Sequence, residues 1–190
     1  SRNYRKIYME SDYLKKKFPG MRITASEALQ CPTILMNGFG EHRIEGIGDK
    51  HVPWVHNARN TDAVAAIDDE DCMRVLRLFN EEPGRKFLAS LGVSESQISD
   101  LSLMGISSIG NLLAAIKTAK YYELSENDVI LTVFTDSIDM YRSRLAELAL
   151  ERGVYAPTQA AMDFAGPLAH QGIDFYKELS YYDRKAIHHL

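Results

Sequence analysis

The sequence predicts an α/β fold, a three-layer sandwich with a largely parallel sheet between helical layers. Three observations carry this. Short apolar runs, Asp62–Ile67 and Val129–Phe134, have strand length and β-rich composition. Longer segments with apolar residues at helical spacing alternate with them. Val129–Phe134 is uninterrupted by any polar residue except Thr132, the pattern of a central strand buried on both faces.

The elements follow in order. Tyr4–Phe18 places Tyr4, Ile7, Tyr8, Leu14 and Phe18 near one helical face, and Pro19-Gly20 stops it. Met21–Ala25 alternates apolar and polar residues and reads as a strand. Glu27–Trp54 is irregular, with Gly38, Gly40, Gly46 and Gly48, and long segments of this kind are often functional. After the strand Asp62–Ile67, Asp68 caps a helix whose first turn holds Asp69, Glu70 and Asp71. Cys72, Val75, Leu76 and Phe79 give that helix a buried face. Pro83-Gly84 is expected to break it, with a second short helix over Arg85–Leu91. Asp100–Met104 approaches a serine motif, and Leu112–Tyr122 is strongly helical. Thr135-Asp136-Ser137 offers caps for a helix over Ile138–Glu151.

Gly153 divides the reading. Residues 1–153 form the α/β domain, and 154–190 a helical extension rich in aromatics, among them Phe175, Tyr176, Tyr181 and Tyr182. That extension is expected to pack onto the domain or onto a partner subunit.

The chain has 190 residues, 45% hydrophobic and 25% charged, which suits one soluble globular domain. A net charge of −4 argues against a nucleic-acid binder. The sequence contains no apolar run of membrane-spanning length and no signal-peptide pattern, so a cytoplasmic protein without membrane contact is expected. Cys31 and Cys72 allow one disulfide, but a reduced pair fits that compartment better.

Candidate chemistry centres on Gly105-Ile106-Ser107-Ser108-Ile109-Gly110-Asn111. Hydroxyls and free amides at a helix start make a seat for an anion or a ring nitrogen. A plain N-cap would explain the serines equally well, although it needs neither Gly105 nor Gly110. Gly105-x-Ser107 also begins like a hydrolase nucleophile elbow, and Asp136 and His170 follow in hydrolase order. Ile109 stands where an elbow needs a small residue. Gly46 and Gly48 mark a second turn, without the third glycine of a dinucleotide site. The histidines and acidic residues lack metal-ligand spacing, so no metal site is expected.

Two segments together carry a family resemblance. His42-Arg43-Ile44-Glu45-Gly46-Ile47-Gly48, followed by Val52-Pro53, resembles the H-x-I-x-G-I-G…P segment of cysteine synthase-like enzymes, pyridoxal-phosphate enzymes of fold type II. Gly105-Ile106-Ser107-Ser108 is similar to their G-I-S motif, and Thr135-Asp136-Ser137…Tyr141-Arg142 to their late D-S-G-x-x-Y segment. Asp62–Asp71 falls where the family has a strand-to-helix step. The resemblance covers about residues 12–150.

The resemblance implies a fold type II architecture and roles for particular residues. Ser107 would hydrogen-bond the pyridine nitrogen of pyridoxal 5'-phosphate. Gly105, Gly46, Ile47 and Gly48 would approach the cofactor and an amino-acid substrate. The implied chemistry is that of a lyase or synthase acting at Cβ. None of the ten lysines has the family's Schiff-base context, and no Gly/Thr-rich phosphate loop precedes Tyr4. The chain is therefore expected to correspond to the C-terminal portion, inactive alone, with no catalytic residue of its own. It is expected to form a homo-oligomer or to join a complementary N-terminal half. A non-catalytic interaction or regulatory fragment is the competing expectation, and a hydrolase using Ser107 the third.

Overall fold

The computed structural model describes residues 11–54 and 56–188. Of the helix predicted over Tyr4–Phe18, residues 4–10 lie outside them. Residues 11–17 are helical, and the Phe18 amide closes onto the Leu14 carbonyl at 2.7 Å.

The fold is α/β, built on a three-stranded sheet of order β1-β2-β3. β1 (Thr24–Ala28) runs parallel to β2 (Ala63–Ile67), and β3 (Tyr176–Glu178) runs antiparallel to β2. The sheet is thus mixed, with one parallel pair. β1 begins three residues after the predicted start. Asp62 sets this start: its carboxylate accepts the Ile23 amide at 2.8 Å, and the ladder proper opens at Thr24. All five residues of β2 are buried.

Successive side chains of a strand face opposite sides, and β2 uses both. Ala65 and Ile67 join the main core with Met73 and Leu76 of helix α2 (Asp69–Asn80) and Ile109 and Leu113 of helix α5 (Ile106–Tyr121). Val64 joins a smaller cluster on the other side with Ala25, Leu179 and Ile187. Ile34 and Leu35 of the short helix α1 (Thr33–Met36) pack against that cluster.

Helix α2 follows the sequence closely. The Asp68 carboxylate accepts the Glu70 amide at 2.9 Å, and Cys72, Val75, Leu76 and Phe79 are buried. Both cysteines are free and buried. Burial and three neighbouring carboxylates push the Cys72 thiol upward. Pro83-Gly84 does not break α2. The helix ends at Asn80, and Pro83 sits in the first turn of helix α3 (Glu82–Ser90), where a missing amide costs nothing. Helix α4 (Glu95–Asp100) was not anticipated, yet its capping box, Ser94 with Gln97, is written in the sequence.

The largest departure is Val129–Phe134. It forms no strand: among the described residues none of its amides donates a hydrogen bond, and Val129 and Leu131 are 91% and 77% exposed. An apolar run becomes a central strand only when neighbours offer their backbones on both sides. Here a cleft separates it from β1.

Beyond helix α6 (Arg142–Arg152) the chain rejoins the core. Helix α7 (Pro157–Phe164) is held by Asp163, a buried carboxylate that accepts from Arg74 Nε at 2.8 Å, Tyr155 at 2.9 Å and Gln159 at 2.8 Å. Such pairing is what a buried charge requires. The chain then supplies β3 and helix α8 (Tyr181–His188).

Gly84 gives a test whose sign opposes helix propensity. A Cβ there would lie 2.1 Å from the Leu78 carbonyl oxygen, with other backbone atoms within 3 Å. Propensity favours Gly84→Ala by about 1 kcal/mol. We expect net destabilisation of about 1–3 kcal/mol from overpacking, read by urea unfolding; an unchanged or raised midpoint would contradict this packing.

Candidate functional site

The site is built around the N-terminus of α5. The residue that organises it is Asp136, 29 residues downstream of Ser107. Its Oδ2 accepts the Ser107 amide and its Oδ1 the Ser108 amide, each at 3.0 Å. The Ser108 hydroxyl also donates to the same carboxylate. The first four amides of a helix face no intrahelical acceptor, and a carboxylate at that end is favoured by the dipole. Neither serine is therefore the N-cap. Gly105 holds that position, and Asp136 caps from outside.

Asp136 was expected to cap the following helix. Instead, neither the 3-10 turn Ile138–Met140 nor α6 has a side-chain cap. Burial alone would raise the Asp136 pKa; hydrogen bonds from Ser108 and Ser107 outweigh it and hold the carboxyl below its ordinary value.

Gly105 is required by this contact. A Cβ there would lie 2.6 Å from Asp136 Cγ and 2.7 Å from the ring of Tyr141, and the Gly105 amide donates to the Asp136 carbonyl at 3.0 Å. Tyr141 is buried, and burial with the nearby Asp136 charge pushes its hydroxyl pKa up. Sequence reasoning missed both roles. Tyr141 was visible as the last part of the T-D-S…Y-R segment, but nothing local says which helix end it reaches.

The second predicted element meets the first. Gly46 lies over Ser107: a Cβ on Gly46 would stand 3.6 Å from Ser107 Cβ and 3.7 Å from its Oγ. Gly46 has φ +94°, a conformation side chains rarely adopt, and is exposed, whereas Ser107 beneath it is buried. Gly48 also has φ +94°, and its carbonyl lies 3.0 Å from His42 Nε2. Between them Ile47 points inward. Its Cδ1 would be 2.9 Å from a Cβ on Gly110, so Gly110 makes room for the side chain that anchors the loop.

Other contacts fix this loop. The Arg43 amide donates to Asp69 at 2.9 Å, Thr33 Oγ1 donates to the Asp49 carbonyl at 2.5 Å, and Arg144 lies 3.7 Å from Glu45. The structure thus brings Ser107, Gly105, Gly46 and Ile47 together, with Gly48 one step along the same turn.

A hydrolase triad is not assembled. His170 Nδ1 lies 2.7 Å from the Ala165 carbonyl, and Asp136 is engaged by the helix end. Ser107 stands in the first turn of α5 after the 3-10 turn Leu101–Leu103, not on a strand-to-helix elbow, and Ile109 is fully buried. Among the described residues, no three metal-ligating side chains cluster and no single helix is long and apolar enough to cross a membrane.

No protein-family model matches the chain. The chain is 29% identical over 132 residues to cysteine synthase B of Campylobacter jejuni, a match covering 70% of this chain and 37% of that protein. It is 27% identical over 130 residues to the cysteine synthase of Staphylococcus aureus, covering 68% and 36%. It is 29% identical over 137 residues to the O-acetylserine dependent cystathionine beta-synthase of Bacillus subtilis, covering 70% and 37%. The fold matches a crystal structure of the hydrogen sulfide-producing enzyme of Fusobacterium nucleatum with a TM-score of 0.50 and 25% identity, over 78% of this chain and 38% of that one. The chain spans a little over a third of the length of the curated relatives it matches.

Asp136→Ala removes the acceptor of two helix amides. We expect a loss of about 1–2 kcal/mol, the upper range for a capping residue. The folded carboxyl lies below its ordinary 3.8, so the unfolded chain takes up the proton first. The stabilisation is therefore full above pH 3.8 and disappears as pH falls through the lower folded value. Urea midpoints of the two proteins should converge in that acid window; a constant difference would contradict the assignment.

Proposed function

We propose, for a chain whose sequence and fold are those of the C-terminal portion of a fold type II pyridoxal-phosphate enzyme, that it supplies the pyridine side of a cofactor site in a lyase or synthase acting at Cβ of an amino acid. The observation that supports this reading is the pairing of Ser107 with Gly46. A hydroxyl at the first turn of a helix lies beside a glycine of positive φ, where any side chain would come into contact with Ser107.

The residues present fit one side of such a cofactor. Ser107 would hold the pyridine nitrogen, and Gly46, Ile47 and Gly48 would form the wall against the ring and substrate. The cofactor, when bound, supplies an electron sink for the bond next to the amino group. This chain decides how strong that sink is. A neutral serine hydroxyl does not compel protonation of the ring nitrogen, which suits elimination and replacement at Cβ better than transamination. Asp136 is a carboxylate close by, but two backbone amides of α5 already engage its charge. It holds the first turn of α5 and with it Ser107, whose hydroxyl would have to turn from this carboxylate toward the ring.

Five lysines are engaged away from Ser107 and Gly46. Lys117 is buried and donates to the Asp174 carbonyl at 2.5 Å, and Lys120 donates to the Gln171 carbonyl at 2.6 Å. Lys15 pairs with Asp62, Lys86 with Glu82 and Lys177 with Asp183. In this reading the cofactor-bearing lysine comes from a complementary N-terminal portion, and the isolated chain is inactive.

The test is titration of the purified chain with pyridoxal 5'-phosphate. The expected result is no visible cofactor absorbance that borohydride fixes onto a lysine. Addition of the part of the Campylobacter jejuni cysteine synthase B that lies outside the matched 37% should produce such absorbance, and Ser107→Ala should shift or weaken it. Fixation onto one lysine of the chain alone would overturn the division of labour. Absorbance indifferent to Ser107→Ala would overturn the role of that residue.

A further inference from the structure

Two consecutive carbonyls of the glycine turn each meet a side-chain donor. The Gly48 carbonyl lies 3.0 Å from His42 Nε2, and the Asp49 carbonyl accepts the Thr33 hydroxyl at 2.5 Å. Thr33 Oγ1 also lies 3.2 Å from the Gly38 carbonyl. One hydroxyl carries one proton, and the shorter contact takes it. Thr33 stands 16 residues before Asp49, outside the segment that resembles H-x-I-x-G-I-G. It is buried, and the helix that carries it is fixed in turn. Glu27 of β1, also buried, accepts the Ile34 and Leu35 amides of α1 at 2.9 and 2.8 Å.

His42 and Gly48 fit as a pair. A Cβ on Gly48 would lie 2.9 Å from His42 Nε2 and 3.2 Å from Ala28 Cβ, so a side chain there would displace the ring. The other ring nitrogen, Nδ1, is buried and has no hydrogen-bond partner among the described residues. A carbonyl can accept from the ring only where the nitrogen bears hydrogen. The proton of the neutral ring therefore sits on Nε2, and Nδ1 is bare.

These contacts add what the apolar anchor of the turn lacks. Ile47 packs over Gly110, and apolar contact is non-directional. It fixes where the turn sits, not which way its peptide planes face. A hydrogen bond has direction. A trans peptide sets its N–H opposite its C=O. Holding the Gly48 and Asp49 carbonyls therefore holds the Asp49 and Lys50 amides facing the other way. A flip of either plane would put a carbonyl where an amide now stands.

We propose that His42 and Thr33 are positioning residues: together they clamp the peptide planes at Gly48 and Asp49, and so set the face that the glycine turn presents beside Ser107. The clamp stands on these contacts. Its service to a cofactor rests on the function proposed above.

The test is backbone amide relaxation at residues 46–50, in the unaltered chain and in paired variants. Thr33→Val keeps the side-chain shape and loses the hydroxyl, whereas Thr33→Ser keeps the hydroxyl. His42→Leu loses the donor. Glutamine carries its amide nitrogen as many bonds from Cα as histidine carries Nε2, so His42→Gln keeps one. The expected order parameters are about 0.85 in the unaltered chain, below about 0.6 in Thr33→Val and His42→Leu, and again about 0.85 in Thr33→Ser and His42→Gln. Amides of β2 report in the same spectra that the fold is intact. A turn already mobile in the unaltered chain would overturn the proposal. So would a turn that stays rigid in Thr33→Val and His42→Leu, or one that Thr33→Ser and His42→Gln loosen equally, which would make packing the cause. If His42→Leu does not fold, the unaltered chain still decides. In mildly alkaline buffer the nitrogen spectrum of the His42 ring should show a protonated Nε2 and a bare Nδ1, and the reverse tautomer would overturn the role of His42. No cofactor enters these measurements. The same variants are then carried into the complemented cofactor titration, where Thr33→Val and His42→Leu should weaken the absorbance and Thr33→Ser and His42→Gln restore it. Full absorbance with a loosened turn would overturn the clamp's part in the site, whereas absorbance missing even with the unaltered chain would sink only the cofactor reading.

Discussion

The carboxylate of Asp136 on the first turn of α5 is the contact on which the rest of the site depends. It joins two parts of the chain that no local signal connects. It satisfies two amides that a helix cannot satisfy for itself, fixes the rotation of α5 about its axis, and so determines where Ser107 emerges. Gly105 and Tyr141 are adjustments to that contact. The first lacks a side chain so that Asp136 can approach, and the second packs, buried, against the same glycine. A charge-assisted hydrogen bond is stronger than a neutral one, and concentrating it at a helix terminus lets one residue position the Ser107 side chain.

The glycine turn is held by a different device. Ile47 drops into the space above Gly110, and Ile44 is fully buried beside it. Gly46 and Gly48 are thereby lifted over the helix end at positive φ. Apolar anchoring of this kind lets an irregular segment keep one conformation without a regular hydrogen-bond ladder. The pattern that resembles H-x-I-x-G-I-G has a mechanical meaning in these terms: its isoleucines hold the loop, its glycines clear the approach, and its histidine lies against the Gly48 carbonyl.

The core explains how a chain matching little more than a third of its relatives' length stands as an α/β unit. β2 is buried on both faces, α2 and α5 cover one side, and the segment after Gly153 returns to cover the other through β3 and Ile187. Residues after 153 also close the main core, since Tyr155 and Ala160 belong to it. Among the described residues, this arrangement provides no strand beside the outer edge of β1. Among the described residues, a cleft lies between β1 and Val129–Val133, and that run has no ladder partner.

The sequence by itself determined what depends on near neighbours. The Asp68 cap, the buried face of α2 through Cys72, Val75, Leu76 and Phe79, the β2 run and the glycine-serine motif all express spacing within a few residues, and the structure has them where the spacing put them. Only the tertiary structure decided what depends on partners distant in sequence. It moved β1 along to match Ala63, turned Pro83 from a break into a helix start, made Asp136 the cap of a helix 29 residues upstream, and left Val129–Phe134 without a ladder. The physical reason is the same in each case. Apolar periodicity reports which face of an element will be buried, whereas a strand or a helix end is completed only by backbone acceptors and donors from elsewhere, and their supply is settled by the fold.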